Sequence, residues 1–295
     1  MKLDQFLEGV FDLHCHVYPE TGLEHEARLD DPGLIEAMRQ AGMGGVILKS
    51  HLWPTVERAY YLQQRYPEVR IFSSLTMNRV SGGIDPLMVE TAARQGAKAL
   101  FFPTWQAAND LERGGFSRAI RERLPLYGGR EIAGIRAADN GRLTPESEDA
   151  LDVAKAFGLL VCTGHLSPAE GLLVIDGTRK RGLEAVFSHP GSPAVGASMD
   201  NMREATGMGA YVEFTCLYAL SLRHHIPPRE TVEIIQSLGA DHCILTTDAF
   251  NAWVPPEPEL MRLGIGQLLE CGMSPEDVRR LTVHNPRKLL GLKAS

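Results

Sequence analysis

The sequence GVFDLHCHV, residues 9–17, is a short apolar run in which Asp12, His14 and His16 stand at every second position. Successive side chains of a β-strand point to opposite faces, so these three polar groups are predicted to share one face. The residues between them would pack against covering helices. Two imidazoles two positions apart on a strand can bind one metal ion. In an isolated strand such a pair more often serves packing or hydrogen bonding than metal binding, so its meaning depends on the rest of the chain.

Seven further apolar runs follow, separated by longer helical patterns. They are GGVILKS (44–50), VRIFSSL (69–75), AKALFFP (97–103), LLVCTGH (159–165), EAVFSHP (184–190), GAYVEFT (209–215) and HCILTTD (242–248). Continuously apolar strands are typical of parallel sheets that helices cover on both faces. Eight strand–helix units predict an α/β protein with a (β/α)₈ TIM barrel, one domain over residues 1–295. A doubly wound sheet is the alternative, but no GxGxxG follows the first run.

Three of these runs carry a histidine or an aspartate at or next to their carboxyl end, namely His165, His189 and Asp248. In a (β/α)₈ barrel the carboxyl ends of the strands gather on the face where active sites are built. An unpaired buried histidine or aspartate costs free energy, so one shared site explains these residues better than separate structural roles. We therefore predict a metal site formed by His14, His16, His165, His189 and Asp248.

The combination of DLHCH, the histidines that end strands five and six, TTD on strand eight and the closing VHNPRKLLGL resembles the amidohydrolase superfamily. The resemblance covers nearly the whole chain and implies a metal-dependent TIM-barrel enzyme. It implies that His14 and His16 bind the more buried ion with Asp248, which also accepts a proton from the attacking water. His165 and His189 would bind a second ion, or one would bind the first while the other steers the water. Zinc suits this imidazole-rich set, with manganese, iron and nickel as alternatives.

Strand four departs from the superfamily pattern. Two-metal members usually carry a bridging carboxylated lysine or glutamate at its end, whereas AKALFFPTW offers none there. Lys49, at the end of strand two, has three readings: a carboxylated bridge, a cation for a substrate carboxylate, or a solvated strand-end lysine. His51 shares its facing parity and is a further candidate for substrate binding. Both one ion and two are compatible with this pattern.

Glu213 is the other polar residue of interest within a strand. In GAYVEFT, Val212 and Phe214 form the apolar face, which predicts that Glu213 points into the barrel. A buried carboxylate is costly unless it is paired or binds a ligand. Glu213 is therefore a candidate metal ligand, a partner of a metal ligand, or half of an ion pair with an internal lysine or arginine.

An interruption at about residues 104–144 separates strand four from the next strand. In a barrel it would be an enlarged loop on the catalytic face, either a lid or a contact in a homo-oligomer. Arg136 in this loop and Arg223 after strand seven are candidates for binding an anionic substrate, because guanidinium groups form forked contacts with carboxylates and phosphates.

The composition limits the classes of partner. The formal net charge of −7 disfavours nucleic acids and anionic membranes. No apolar run approaches the roughly 20 residues that span a membrane, and the amino terminus lacks the features of a secretory signal. Five dispersed cysteines are typical of reduced thiols. We therefore expect a cytoplasmic protein that acts on a small molecule.

Three functions fit these expectations. The first is a hydrolase that attacks an amide, lactam, lactone or ester carbonyl with metal-activated water, with Asp248 as general base and His189 and Lys49 assisting. The second is a metal-dependent decarboxylase of the same superfamily. The third is a metal-binding barrel without catalysis. Fold and ligand set alone do not separate hydrolysis from decarboxylation.

Overall fold

The computed structural model describes residues 3–20, 22, 29–115, 133–220, 226–250 and 253–293, except for the side chains at positions 218 and 219. Within these ranges, no helix combines the length and the apolar character that a membrane crossing requires.

Ten strands are present among the described residues. They are β1 (Phe11–His16), β2 (Gly45–Lys49), β3 (Arg70–Thr76), β4 (Ala97–Phe101), β5 (Ala138–Asp139), β6 (Arg142–Leu143), β7 (Leu160–Cys162), β8 (Ala185–Phe187), β9 (Tyr211–Thr215) and β10 (Cys243–Thr246). Eight of them form one sheet in the order β1-β2-β3-β4-β7-β8-β9-β10, which is also their order along the chain. Strands in chain order with interleaved helices give the (β/α)₈ barrel fold, which confirms the predicted fold class.

Twelve α-helices are described between and after these strands. They are α1 (Asp31–Gln40), α2 (Val56–Arg65), α3 (Pro86–Arg94), α4 (Ala108–Arg113), α5 (Pro145–Phe157), α6 (Pro168–Lys180), α7 (Met199–Gly207), α8 (Cys216–Leu220), α9 (Pro228–Leu238), α10 (Glu257–Glu270), α11 (Pro275–Arg279) and α12 (Asn285–Leu289). Each of the eight apolar runs coincides with one barrel strand, β3 extending one residue further, and the helical patterns between the runs contain helices, as expected.

Helix starts follow the sequence signals. Thr144 accepts a hydrogen bond from the Ser147 amide at the start of α5, and Ser274 caps α11 in the same way. Ser167 and Glu170 form a reciprocal capping box at the start of α6. These side chains satisfy backbone amides that lack a partner within the helix. Thr144 and Ser274 are residue types that are preferred at helix N-caps, as the sequence shows.

A tight turn follows Asp139. Asn140 and Gly141 join β5 to β6 with φ values of +50° and +74°. Two consecutive positive φ angles match the right-handed twist of the flanking strands, and asparagine and glycine adopt them at low cost. This hairpin lies in the segment predicted as a lid.

The contacts divide the chain into two compact units. Unit 1 comprises Met1–Lys49, Glu57–Ser73 and Glu213–Ser295, and unit 2 comprises Ser50–Val56 and Ser74–Val212. In unit 1, β2 pairs in parallel with β1 and β3. In unit 2, β7 pairs in parallel with β4 and β8. A single domain over the whole chain stays a prediction.

Each unit has buried apolar strands. In unit 1, Val46, Ile47 and Leu48 of β2 are fully buried. In unit 2, the core joins side chains of β4 and β7 to those of α3 and α5. The functional groups of each unit therefore stand on rigid strand ends or in the short segments that follow them.

Candidate metal centre and a second histidine cluster

The first cluster lies in unit 1 and is centred on His14, His16 and Asp248. Both histidines are in β1, and Asp248 follows the end of β10 by two residues. The Asp248 amide donates to the His14 carbonyl at 2.9 Å, which ties the segment after β10 to β1. Asp248 adopts a φ of +49°, an uncommon angle for a non-glycine residue that is enriched at functional sites. All three side chains are buried.

The ligand atoms of this cluster converge. Oδ1 of Asp248 lies 3.2 Å from Nε2 of His14 and 3.2 Å from Nε2 of His16. One ligand atom from each residue lies within 4.8 Å of the other two. Atoms that bind one zinc ion at about 2.1 Å are roughly 3.4 Å apart in tetrahedral geometry. The spacing and the imidazole and carboxylate donors therefore fit one divalent ion.

Glu213 contacts the ring nitrogen of His14 that does not face Asp248. Its Oε1 lies 2.8 Å from Nδ1 of His14 and accepts a hydrogen bond from the Thr246 hydroxyl at 2.8 Å. A carboxylate at Nδ1 favours the tautomer with a proton on that nitrogen, so Nε2 presents its lone pair toward Asp248. Of the three readings for Glu213, a partner of a metal ligand matches these contacts.

Asp12 is a part of this cluster that was not predicted as a site residue. It is fully buried and accepts hydrogen bonds from the backbone amides of His14 and Thr247 and from the Thr247 hydroxyl. Burial raises the pKa of Asp12 to about 7, against these hydrogen bonds, which lower it. Asp12 thus joins β1 to the residue before Asp248. The alternation of GVFDLHCHV was a usable signal for it.

Burial also changes the pKa of the His14 imidazole. Burial, together with the charge of Lys49, lowers the pKa of His14, although Asp248 and Glu213 act in the opposite direction. A lowered pKa favours the neutral imidazole, and the neutral imidazole is the form that binds a metal ion.

Lys49 lies at the carboxyl end of β2 beside His16. Its side chain is fully buried, and its Nζ lies 3.4 Å from Nε2 of His16. This burial excludes the solvated reading, because a solvated lysine keeps its ammonium group in water. The carboxylated bridge and the cation for a substrate carboxylate remain as hypotheses.

The second cluster lies in unit 2 and is centred on His165 and His189. His165 follows the end of β7 by three residues, and His189 follows β8 by two. Their ring centroids are 5.0 Å apart. The turn before His165 requires Gly164, since its φ is +61° and a Cβ would lie 2.3 Å from the Phe102 carbonyl oxygen. The positions of His165 and His189 after these strands, and their proximity to each other, agree with the prediction from the sequence.

A carboxylate orients His165. Its Nδ1 lies 2.5 Å from Oδ2 of Asp110, which is fully buried in α4. Asn109 donates to the His165 carbonyl at 3.1 Å and to the Ala194 carbonyl at 2.8 Å. Nδ1 of His189 lies 3.1 Å from the Ser192 hydroxyl. Both histidines therefore use Nδ1 for structural contacts.

Asp110 was not predicted as a site residue because it lies in a helix, whereas the predicted metal ligands lie within strands or at their ends. The available signal was an acidic residue in the first turn of the helix AANDLER, just after strand four. Its contact with His165 joins residues 55 positions apart, and no local pattern encodes that pairing.

His51 belongs to the second cluster. Its Nδ1 lies 2.8 Å from the Thr104 hydroxyl, which accepts a hydrogen bond from the Asn78 side chain. The centroids of the His51 and His165 rings are 6.3 Å apart. His51 stays a candidate for substrate binding.

The remaining candidates differ in status. Arg136 is exposed and forms an ion pair with Glu112. Arg223 lies outside the described residues. Of the predicted lid, residues 104–115 and 133–144 are described, and they include α4, whose Asp110 contacts His165. Part of this segment therefore supports the second cluster.

A family described as "Family of unknown function (DUF6282)" matches residues 9–213, which contain β1 through most of β9. The chain belongs to DUF6282. No curated protein matches the chain. The match includes four of the five predicted metal ligands, and Asp248 lies beyond it.

Solved structures share the fold of this DUF6282 chain. An amidohydrolase from Pseudomonas aeruginosa is 12% identical with a TM-score of 0.67, and the match covers 98% of both chains. A putative 2-pyrone-4,6-dicarboxylic acid hydrolase from Pseudomonas putida is 16% identical with a TM-score of 0.58, over 97% and 99%. A 2,6-dihydroxybenzoate decarboxylase is 11% identical with a TM-score of 0.59, over 97% and 100%. The resemblance to the amidohydrolase superfamily is confirmed at the level of the fold.

Proposed function

We propose that this chain is a metal-dependent hydrolase that cleaves an amide, lactam, lactone or ester bond of a small molecule. The observation that carries the proposal is the convergence of one carboxylate oxygen and two imidazole nitrogens, with Asp248 Oδ1 3.2 Å from both His14 Nε2 and His16 Nε2. Similar structures titled as an amidohydrolase and a 2-pyrone-4,6-dicarboxylic acid hydrolase support this reaction class.

His14, His16 and Asp248 would hold the ion. When bound, a divalent ion there supplies Lewis-acid activation of water and of the substrate carbonyl. Asp248 accepts the proton of the attacking water on a carboxylate oxygen and returns it to the leaving group. Glu213 holds the His14 ring in the orientation that presents Nε2.

His165 and His189 are proposed to take part in turnover, either in proton transfer or as ligands of a second ion. Asp110 fixes the ring of His165 through Nδ1, and Ser192 contacts Nδ1 of His189. Imidazoles that are held in one orientation are suited to proton transfer, because the position of the reactive nitrogen is set before the substrate binds. That all five predicted ligands share one site stays a prediction.

Decarboxylation is the second candidate function. Phe102 and Pro103, the two residues that directly follow β4, offer no carboxylate or lysine as a bridging ligand, which favours a single ion. A single ion also suits the decarboxylases of this superfamily, and a 2,6-dihydroxybenzoate decarboxylase shares the fold. The buried ammonium group of Lys49 would then bind the substrate carboxylate.

Product analysis separates the two candidates. Zinc-loaded and manganese-loaded protein would be incubated in ¹⁸O-labelled water with a panel of amides, lactones, esters and hydroxybenzoates. We expect ¹⁸O in the product without release of carbon dioxide. Carbon dioxide without ¹⁸O incorporation would replace the hydrolase by the decarboxylase. Asp248→Asn is the inactive reference, and Asp200→Asn, which removes an exposed carboxylate of α7, is its matched control.

A further inference from the structure

A narrow pocket opens beside His16 within unit 1. Its walls include His16, Phe250 and Glu257, together with Tyr18 and Val254. The ring of Phe250 meets the ring of His16 edge-on, with centroids 5.0 Å apart. Since His16 is a proposed metal ligand, a group in this pocket would be close to the proposed reaction centre.

The pocket is small and is lined by both polar and apolar groups. Its cavity volume is about 30 Å³, enough for one or two water-sized groups. Val17, Leu34 and Val254 contribute apolar surface. An ammonium group is close to water in size, whereas a phosphate or an aromatic ring would not enter. The dimensions therefore favour a compact polar group at the end of a short chain.

Two carboxyl groups line this pocket, and they differ in their contacts. Asp31 accepts hydrogen bonds from the Tyr18 amide and from Arg58, both at 2.7 Å. Glu257, the first residue of α10, has no hydrogen bond or ion pair to another side chain within the described part of the chain. Burial raises the pKa of Glu257 to about 7, aided by the carboxylates of Asp12 and Asp31 and opposed by its own backbone amide and by His16.

The charge balance therefore favours a cation. Arg58 offsets Asp31, and no cationic side chain of the described residues forms an ion pair with Glu257, whose carboxyl group is hydrogen-bonded to its own backbone amide. A partly dehydrated carboxylate gains from a charged N–H donor, since charge-assisted hydrogen bonds are stronger than neutral ones. A second carboxylate entering here would meet like charge.

We propose that this pocket binds a primary ammonium group of the substrate, with Glu257 as its counterion. The substrate would be a small amine whose ammonium group lies a short chain away from the carbonyl that is hydrolysed. The position of the carbonyl rests on the proposed function, whereas the binding of the ammonium group does not. This inference revises the expectation of an anionic substrate for this part of the site.

Size-matched probes test the proposal without turnover. Calorimetry at pH 8 would compare n-propylammonium, propionate and n-propanol on metal-free and zinc-loaded protein. We expect n-propylammonium to bind and the other two not to bind. Glu257→Gln should weaken n-propylammonium binding at least tenfold. The matched control Glu259→Gln removes an exposed carboxylate two residues along α10 and should leave binding within twofold.

The charge-reversed variant Glu257→Lys provides an independent check, because it should bind propionate in place of n-propylammonium. Thermal unfolding would establish that each variant is folded. Tighter binding of propionate to the unaltered protein, equal affinity in Glu257→Gln, or no binding of any probe would each overturn the proposal. Metal-free protein makes this result independent of the proposed hydrolysis, whose own test is ¹⁸O incorporation.

Discussion

The two histidine clusters contain the same residue types, but the ring nitrogens of their histidines contact different partners. In unit 1, His14 and His16 direct Nε2 toward one oxygen of Asp248 at 3.2 Å. In unit 2, Nδ1 of His51, His165 and His189 contacts Thr104, Asp110 and Ser192, respectively. The first arrangement brings ligand atoms to one point, whereas the second fixes the orientation of separate rings.

Histidines near strand ends are therefore arranged in two ways in the described parts of this chain. A carboxylate oxygen that is shared between two imidazoles, as at Asp248, brings the donor atoms for one ion together. A carboxylate on the far nitrogen of an imidazole sets the tautomer and orientation of the ring, as the partner of a metal-binding histidine also does, so the role of His165 and His189 as ligands stays a prediction. Unit 1 contains both kinds of carboxylate, Asp248 and Glu213, around His14. The clusters therefore predict different results when their carboxylates are changed.

The largest effect is expected from Asp248→Asn. Loss of the proton acceptor and of an anionic ligand should lower kcat by about 10²- to 10⁴-fold. Steady-state kinetics with metal analysis of the same samples would measure this, with the exposed Asp200→Asn as control. Turnover within tenfold of normal in folded, metal-loaded Asp248→Asn would remove this residue from the mechanism.

Glu213→Gln should weaken metal binding without removing it. The amide is a poorer acceptor for the Nδ1 proton of His14, and loss of such a partner typically lowers metal affinity by about 10- to 100-fold. Zinc titration against a competing chelator would give the affinity, and excess zinc should restore most of the activity. Glu204→Gln removes an exposed carboxylate of α7 as a control. Unchanged zinc affinity would show that the His14 contact has no role in metal binding.

Asp110→Asn should show most clearly that the two clusters have different roles. The change disturbs the ring of His165, so we expect kcat to fall by about tenfold to 100-fold. The ion held by His14, His16 and Asp248 should remain, with unchanged affinity. Measuring kcat and zinc affinity on one preparation tests both statements. Loss of that zinc in Asp110→Asn would contradict the assignment of different roles.

The smallest effect is expected from Ser192→Ala. It removes one hydrogen bond to Nδ1 of His189, worth about 1 kcal/mol, which corresponds to a roughly fivefold change in kcat. Thr206→Ala, at a partly buried position in α7, serves as the control for loss of a hydroxyl group. A fall in kcat of more than 100-fold would mean that Ser192 has a direct role in the reaction.

The fold was accessible from sequence because each barrel strand is a short, continuously apolar run with polar residues near its end. The convergence of His14, His16 and Asp248 follows from the shared edge of parallel strands. Asp110 was not predictable in this way, since its contact depends on the path of the segment after β4. The burial of Lys49 was also undetermined, because a lysine at a strand end can either enter the barrel or extend into water.

The central claim is that His14, His16 and Asp248 hold the ion and that His165 and His189 are not required for it. Zinc content at saturation would be measured for His14→Ala/His16→Ala and for His165→Ala/His189→Ala, alongside the unaltered protein. We expect the first variant to bind one zinc ion per chain fewer than the unaltered protein and the second to retain at least one ion per chain. Zinc binding by the first variant at the level of the unaltered protein, or complete loss of zinc from the second, would contradict the claim.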